Sequence, residues 1–413
     1  MGAATAVCSC TTARVASRRE VQSAARSDQH APRQTQRKPV AARRLPATSS
    51  KEQRAVAASV ISVVVSTYAG ERHIRGCLEM LQRQTAADRL EIIVIDSGSP
   101  ENEWSIIEEM QAVSDNIVAL RTPRESLYAA WNRALAMATG TYFANVNVDD
   151  WLRDDALELF ACALDRYPLA DLAYAHWAAT HEARQAPTEH DAVRFHPPYQ
   201  PALPLFYCYS GSTQFWRTSS LAGLGGFDAT FTACGDLEVL RRLTLAGGQA
   251  VLVPQVLEGF FQNPEGITQG SDAAQREEHG IFARARAETP LQRLYEIDAD
   301  DAESVAGGWT TLGNLAMQVR VPWHDKALND VEFALHCYAQ ALAALPGYPM
   351  ALHNVYAVLV LAARFDEADR SLASVAPDAA AQIRGAHLGL LHPNVEPACR
   401  GAVFSDREGV SPA

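Results

Sequence analysis

The sequence predicts an α/β fold, a mostly parallel sheet flanked by helices, followed by an all-α C-terminal region. Three observations carry this. Short β-branched runs alternate with segments of helical periodicity between residues 60 and 150. The polar clusters of that half fall where the β-branched runs end, which is where open α/β sheets bind ligands. From about residue 304 the strand signal gives way to Ala- and Leu-rich helical spacing.

Each element has its own local reason. Val60 to Val65 reads VISVVV, as expected of a strand buried on both faces of a parallel sheet. Glu71 to Gln84 carries Ile74, Leu78 and Leu81 at helical spacing. Glu91 to Ile95 is a second buried strand, ending in Asp96-Ser97-Gly98-Ser99. Trp104 to Val113 follows as a helix and Ile117 to Leu120 as a third strand. Tyr128 to Ala138 is helical and closed by Gly140, and Tyr142 to Val148 is a fourth strand ending in Asp149-Asp150. A second block opens with a helix from Asp154 to Tyr167, then a Pro- and His-bearing stretch from Thr180 to Pro204 without a readable pattern. Gly225-Gly226-Phe227-Asp228 is a turn before a helix from Asp236 to Leu245. The organisation expected is a basic leader (1–55), an α/β domain (56–287), a linker (288–303), a helical region (304–381) and a tail (382–413).

The 413 residues leave room for two or three domains. The net charge of −12 argues against nucleic-acid binding, which needs a basic surface. No apolar run approaches the ~20 residues of a membrane span. Residues 1–55 hold eleven Arg and Lys against three acids, a net +8, leaving −20 for the rest. That segment lacks apolar periodicity and reads as a disordered leader, a mis-assigned start or an organelle transit peptide. Ala6 stands where a myristoylation signal needs Ser or Thr. The eight cysteines are scattered and form no CxxC, which suggests free thiols in a reducing compartment; a cytoplasmic location is expected, or an organelle if the leader targets one.

The informative constellation is Asn147-Val148-Asp149-Asp150. Adjacent carboxylates at a strand end can hold a hard divalent cation that keeps positions open for phosphates. Such pairs are commonly helix caps or solvated turns, and the surrounding motifs decide between the readings. Val63-Val64-Val65-Ser66-Thr67-Tyr68 is followed by Ile93-Val94-Ile95-Asp96-Ser97-Gly98-Ser99. Leu127-Tyr128-Ala129-Ala130-Trp131-Asn132-Arg133-Ala134 then leads to the acidic turn, and Phe215-Trp216-Arg217, Gly225-Gly226-Phe227-Asp228 and Gly235-Asp236 complete the order. In order and spacing, residues 60 to about 270 resemble a family 2 glycosyltransferase with the Rossmann-like GT-A fold.

That resemblance implies the site. Asp96 would bond the donor's nucleobase. Ser66, Thr67 and Tyr68 would line the nucleotide pocket, with Asn132 among the donor contacts. Asp149 would hold Mg²⁺ or Mn²⁺ on the diphosphate, with Asn147 and Asp150 orienting ribose and metal. Asn147 stands where Asp is common, and a neutral amide coordinates more weakly. Asp236 matches the catalytic acid of the family's Glu-Asp pair, although Gly235 precedes it. An acceptor hydroxyl is a poor nucleophile at neutral pH, so a carboxylate must take its proton, and the family resemblance implies inversion at the sugar carbon. The Gln-x-x-Arg-Trp signature of processive synthases is missing, so addition of one or a few sugars is expected. Donor lean is toward UDP; the acceptor could be saccharide, lipid-linked or protein.

The histidines His176, His181, His190 and His196 are not at tight ligand spacing and read as loop or solvated residues. No P-loop is present. Ala334, Tyr338, Ala341 and Pro346 resemble the second helix of a tetratricopeptide repeat, with Trp309, Leu312 and Gly313 in the first. The step between them implies an inserted loop. Leu352, Val355, Tyr356, Ala368 and Leu372 fit a following repeat. Two repeats are too few for an independent solenoid, so these helices are expected to dock on the transferase domain, as a stabilising appendage or a site for a protein partner. Two rivals remain: a degenerate GT-A scaffold, of which Asn147 and Gly235 would be marks, and a nucleotidyltransferase, for which Ser66 to Glu71 lacks the usual Gly-rich basic loop.

Overall fold

Strand and helix alternate along the first half because the apolar residues alternate in period. β1 (Ile61–Thr67), α1 (Glu71–Gln82), β2 (Leu90–Asp96), α2 (Glu103–Gln111), β3 (Ile117–Arg121), α3 (Leu127–Met137) and β4 (Tyr142–Asn145) follow one another. The computed structural model describes residues 60–264, 266, 267, 272–318 and 330–386. The expected leader, the inserted loop before Ala334 and the tail beyond residue 386 lie outside the described residues. The four strands are parallel, in the order β3-β2-β1-β4.

Successive side chains on β1 and β2 enter opposite layers. Ile61, Val63, Val65, Ile92 and Val94 pack with α1 and α2 on one face, while Val64, Ile93 and Ile95 pack with α3 on the other. Burial on both faces is why these runs are continuously apolar. The fourth strand stops at Asn145, short of the expected Val148. Asn145 turns its amide to Ser212 O (2.6 Å) and Gln214 N (3.0 Å), and the chain then leaves the sheet for the acidic turn.

The second half extends the sheet. β5 (Trp151–Leu152), α4 (Ala156–Arg166), β6 (Leu172–Thr180), β7 (Ala192–Arg194), β8 (Phe215–Arg217), α5 (Thr218–Gly223), α6 (Gly235–Ala246) and β9 (Ala250–Phe261) follow. The order continues from β4 through β8, β6 and β9 to β5, with β7 paired to β6. β8 runs antiparallel to both β4 and β6, and β6 and β9 are parallel. Sequence reading missed β6 and β9. β6 is alanine-rich, and Pro254 interrupts β9, near register shifts around His176 that take the proline out of the ladder. The result is the expected class: a mixed, mostly parallel GT-A-like sheet flanked by helices, with a helical C-terminal part.

That part comprises α7 (Asp272–Glu288), α8 (Leu291–Leu294), α9 (Ala302–Gln318), α10 (Val331–Ala344), α11 (Pro349–Leu361), α12 (Phe365–Ser371) and α13 (Pro377–Gly385). The expected linker is not a spacer. It holds α8, and Leu291, Leu294 and Tyr295 are buried in the same apolar cluster as α3, α6 and α9 to α11. Gly313 of α9 lies under Tyr338 of α10, where a Cβ would come within 2.5 Å of the ring. The helices are fastened to the sheet domain by Arg286. Its guanidinium bonds Leu205 O (3.0 Å) and pairs with Asp330 (2.7 Å), over the rings of Phe206 and Phe333. Among the described residues no helix is long and apolar enough to cross a membrane.

Candidate functional site

A cleft of about 490 Å³ opens at the carboxyl ends of β1, β2 and β4. Parallel strands deliver their following loops to one edge, so residues far apart in sequence meet there. Ser66, Thr67 and Tyr68 line it from the end of β1, and Asn147, Asp149 and Asp150 from the acidic turn after β4. Arg72, His73, Ser97 and Arg124 also line it, with Phe260 and Phe261 at the end of β9 and Asn263 just beyond.

The loop after β1 is shaped by Glu103, which the sequence reading overlooked. This fully buried carboxylate accepts from Gly70 N (2.6 Å), Ser99 Oγ (2.7 Å) and Thr67 Oγ1 (3.4 Å). Thr67 therefore braces the loop through its hydroxyl. Tyr68 is 44% exposed, and the Arg124 guanidinium lies 3.5 Å above its ring. This is an open aromatic surface with a cation on it. Asp96 is placed differently from the expectation. It has no exposed surface, accepts from Ser99 N (2.8 Å) and pairs with Arg121 (3.0 Å); its neighbour Ser97 reaches the cleft instead. Asn132 is a correction. Its amide bonds both the N–H (2.8 Å) and the carbonyl (2.7 Å) of Phe227, so it pins the Gly225–Asp228 turn and does not line the cleft.

On the acidic turn, Asp149 faces the cleft and one oxygen accepts from Asn263 Nδ2 (3.0 Å). Asp150 is buried, accepting from Phe261 N (2.9 Å) and Asn147 Nδ2 (2.9 Å). Burial, then the charge of Asp149, pushes its carboxyl up to about 7. Behind it Glu258 is wholly buried on Thr213 N (2.9 Å), and burial pushes its carboxyl up to about 8. The amide at residue 147 thus has a local reason. It donates to a buried acid, where an aspartate would add another repelling charge.

Arg184 is a second missed residue, from the unreadable stretch. Its backbone N donates to Asp149 O (2.8 Å), and its guanidinium donates to Val148 O (3.1 Å) and meets His73 Nδ1 (2.8 Å). It thereby clamps the acidic turn onto α1. Burial, then Arg184, holds the His73 imidazole below its ordinary value, so it stays neutral. No sequence signal distinguishes Arg184 from other arginines. Of the four histidines read as loop or solvated, His181 and His190 are exposed, but His176 and His196 are buried, with His196 N donating to His176 Nδ1 (3.1 Å).

Asp236 sits in the first turn of α6, where a helix start favours an anionic side chain. Its Oδ1 accepts from Leu237 N (2.9 Å) and Tyr128 Oη (3.3 Å). Burial pushes its carboxyl up to about 6, against the pull of those donors. Its carbonyl accepts from Gln214 Nε2 (3.1 Å), and Gln214 N donates to Asn145 Oδ1 (3.0 Å) at the end of β4. Asp236 is therefore tied through Gln214 to the strand end from which the acidic turn departs, and it is not among the residues that line the cleft. Gly235 also has a spatial reason: a Cβ there would lie 2.8 Å from the Tyr128 ring.

Among the described residues no three His, Cys, Asp or Glu side chains gather as a metal-holding group. Asp149 and Asp150 both line the cleft, and Asp150, the more buried, is already bonded. This donor set fits a hard cation that takes one or two carboxylates and completes its shell with phosphate and water. It does not fit a metal that needs an all-protein cage.

A curated relative, putative glycosyltransferase EpsH of Bacillus subtilis, is 33% identical over 98 residues, 24% of this chain and 28% of that protein. Glycosyltransferase GlyA of Streptococcus pneumoniae is 29% identical over 123 residues, 30% of this chain and 17% of that protein. The chain thus spans under a third of these relatives. Among solved structures, S. aureus TarS 1-349 in complex with UDP aligns with a TM-score of 0.46 and 15% identity, over 79% of this chain and 92% of that one. Residues 62–219 match the family described as Glycosyl transferase family 2.

Proposed function

We propose that the protein is a non-processive, inverting glycosyltransferase that moves a sugar from a nucleotide-diphosphate sugar, UDP-linked by family lean, to an acceptor hydroxyl. One observation carries the reading: the acidic turn and Asp236 are tied to the same strand end through Asn145 and Gln214. Tyr68 and Arg124 offer a flat, cationic surface to a nucleobase, and Arg72 and Arg124 offer positive charge to a diphosphate. Asp149, seconded by Asp150, would hold Mg²⁺ or Mn²⁺. Such an ion, when bound, offsets the charge gathering on a departing diphosphate. Asp236 takes the acceptor proton as its oxygen attacks. A carboxylate at about 6 is ionised at neutral pH and still basic enough to serve.

Asp236→Asn should lose transfer by about 10²–10⁴-fold with donor binding preserved; transfer equal to wild type refutes the base. Asp149→Ala should weaken Mn²⁺-dependent donor binding in calorimetry, and unchanged binding refutes the metal assignment. A melting screen of nucleotide sugars with Mn²⁺ identifies the donor, because a ligand of the folded state raises the melting temperature. The acceptor is a saccharide, lipid-linked group or protein. The tetratricopeptide-like helices α9 to α12 are read as a support for the domain that could also receive a protein partner.

A further inference from the structure

We infer that Tyr128 is a positioning residue for Asp236, its ring filling the space over Gly235 and its hydroxyl orienting the carboxylate. The inference rests on Asp236 being the base. Tyr128 is 1% exposed and stands at the start of α3, while Gly235 and Asp236 open α6. Its ring is held edge-on by Trp131 (5.3 Å between centroids) and stacked on Phe227 (5.9 Å). That packing leaves the hydroxyl pointing one way, to Asp236 Oδ1 at 3.3 Å. A Cβ on residue 235 would meet Cδ2 and Cε2 of the ring at 2.8 Å. No real side chain tolerates that approach in a packed interior. Residue 235 can therefore be only glycine while Tyr128 keeps its place, and the loss of a side chain beside the base is matched by a hydroxyl arriving from another helix.

Both donors, Leu237 N and Tyr128 Oη, fall on Oδ1. This leaves Oδ2 as the oxygen presented to an acceptor. The titratable groups facing Asp236 are Tyr128 from α3, Cys208 from the loop before β8, Cys234 at the start of its own helix and Glu278 from α7. Burial keeps both thiols protonated, and Glu278 opposes ionisation of Asp236. Tyr128 is the member of this group that donates to the carboxylate and favours its ionised form. Gly235 then has a packing reason, since the Tyr128 ring occupies the space a side chain there would need.

The test is transfer kinetics of Tyr128→Phe against pH, beside Asp236→Asn and melting curves. The ring stays, so the fold and the donor Kd should be unchanged. Expected is a fall of about tenfold in kcat, the worth of one hydrogen bond to a charged group. The acidic limb of the kcat profile should also move to higher pH, since an ionised carboxylate has lost a donor. Gly235→Ala should expel the ring and lose kcat too, and adding Tyr128→Phe should then cost little more, because both changes break one contact. A Tyr128→Phe enzyme with wild-type kcat and an unmoved acidic limb overturns the inference while Asp236→Asn is inactive. An Asp236→Asn enzyme as active as wild type overturns the base reading itself.

Discussion

Replacing Glu277 with Ala removes the group that closes the start of α6. That helix has no side-chain cap of its own at Cys234. Glu277, on α7, supplies one from outside. Its Oε1 accepts from Thr232 N (2.8 Å), and its Oε2 from Ala233 N (2.9 Å) and Cys234 N (3.1 Å). These N–H groups belong to the segment that leads into the helix and to its N-cap, and leaving such donors without a partner costs about 1–3 kcal/mol. With one charged acceptor serving several donors, Glu277→Ala should cost about 2 kcal/mol, a few degrees of melting temperature. Glu277→Gln keeps an acceptor and loses the charge, so about half that cost is expected. The pH dependence gives an independent check. Burial works against ionisation here, but the N–H groups of Ala233, Thr232 and Cys234 outweigh it and hold the carboxyl below its ordinary value. A depressed carboxylate stabilises above its unfolded value, about 4.3, and that stability is lost as pH falls through the folded value. The gap between wild type and Glu277→Ala should therefore be full at neutral pH and close in acid. Asp236 lies two residues past Cys234, so kcat should fall with stability. Melting curves and transfer rates at neutral and acid pH decide the matter. A Glu277→Ala protein that melts with wild type at neutral pH refutes the argument.

Three further outcomes follow from the same geometry. Transfer by the wild type should fall as pH drops through about 6, because protonated Asp236 cannot accept a proton; an acidic limb absent from the kcat profile contradicts this. Glu258, raised to about 8 by burial, gives stability that is present below its unfolded value and lost as pH rises through 8. Glu258→Gln should match wild type below about pH 4, where both states are protonated, and gain on it progressively up to about pH 8, and equal pH slopes in the two proteins would count against it. Arg184→Met removes the guanidinium's hold on Val148 O while the backbone bond to Asp149 O remains, and donor affinity with Mn²⁺ should weaken about tenfold while the fold persists. Unchanged affinity would show that the clamp is idle.

The motifs legible in the sequence were those with local causes. Ser66 to Tyr68 and Asp96 end strands whose apolar runs were visible, Asn147 to Asp150 follow shortly after one, and all but Asp96 line the cleft. Asp236 was legible as the start of a helix. Residues whose work is done across the fold left no such mark. Arg184, Glu258 and Glu277 act on partners more than 33 residues away in sequence, and Glu103 joins its near neighbour Ser99 to Gly70, 33 residues away, so no local pattern selects them. Asn132 shows the converse, a motif residue spent on Phe227 rather than on a ligand.

By itself the sequence determined the parallel half of the sheet, the helices around it and the placing of acids at strand ends. Hydrophobic period is a property of a few consecutive residues and can be read from them. Only the tertiary structure decided that β6 and β9 enlarge the sheet, that α8 is core rather than linker, and that Tyr128 stands where a side chain at residue 235 would be. Those outcomes depend on which distant surfaces exclude water from one another, and close packing leaves no second occupant for the same space.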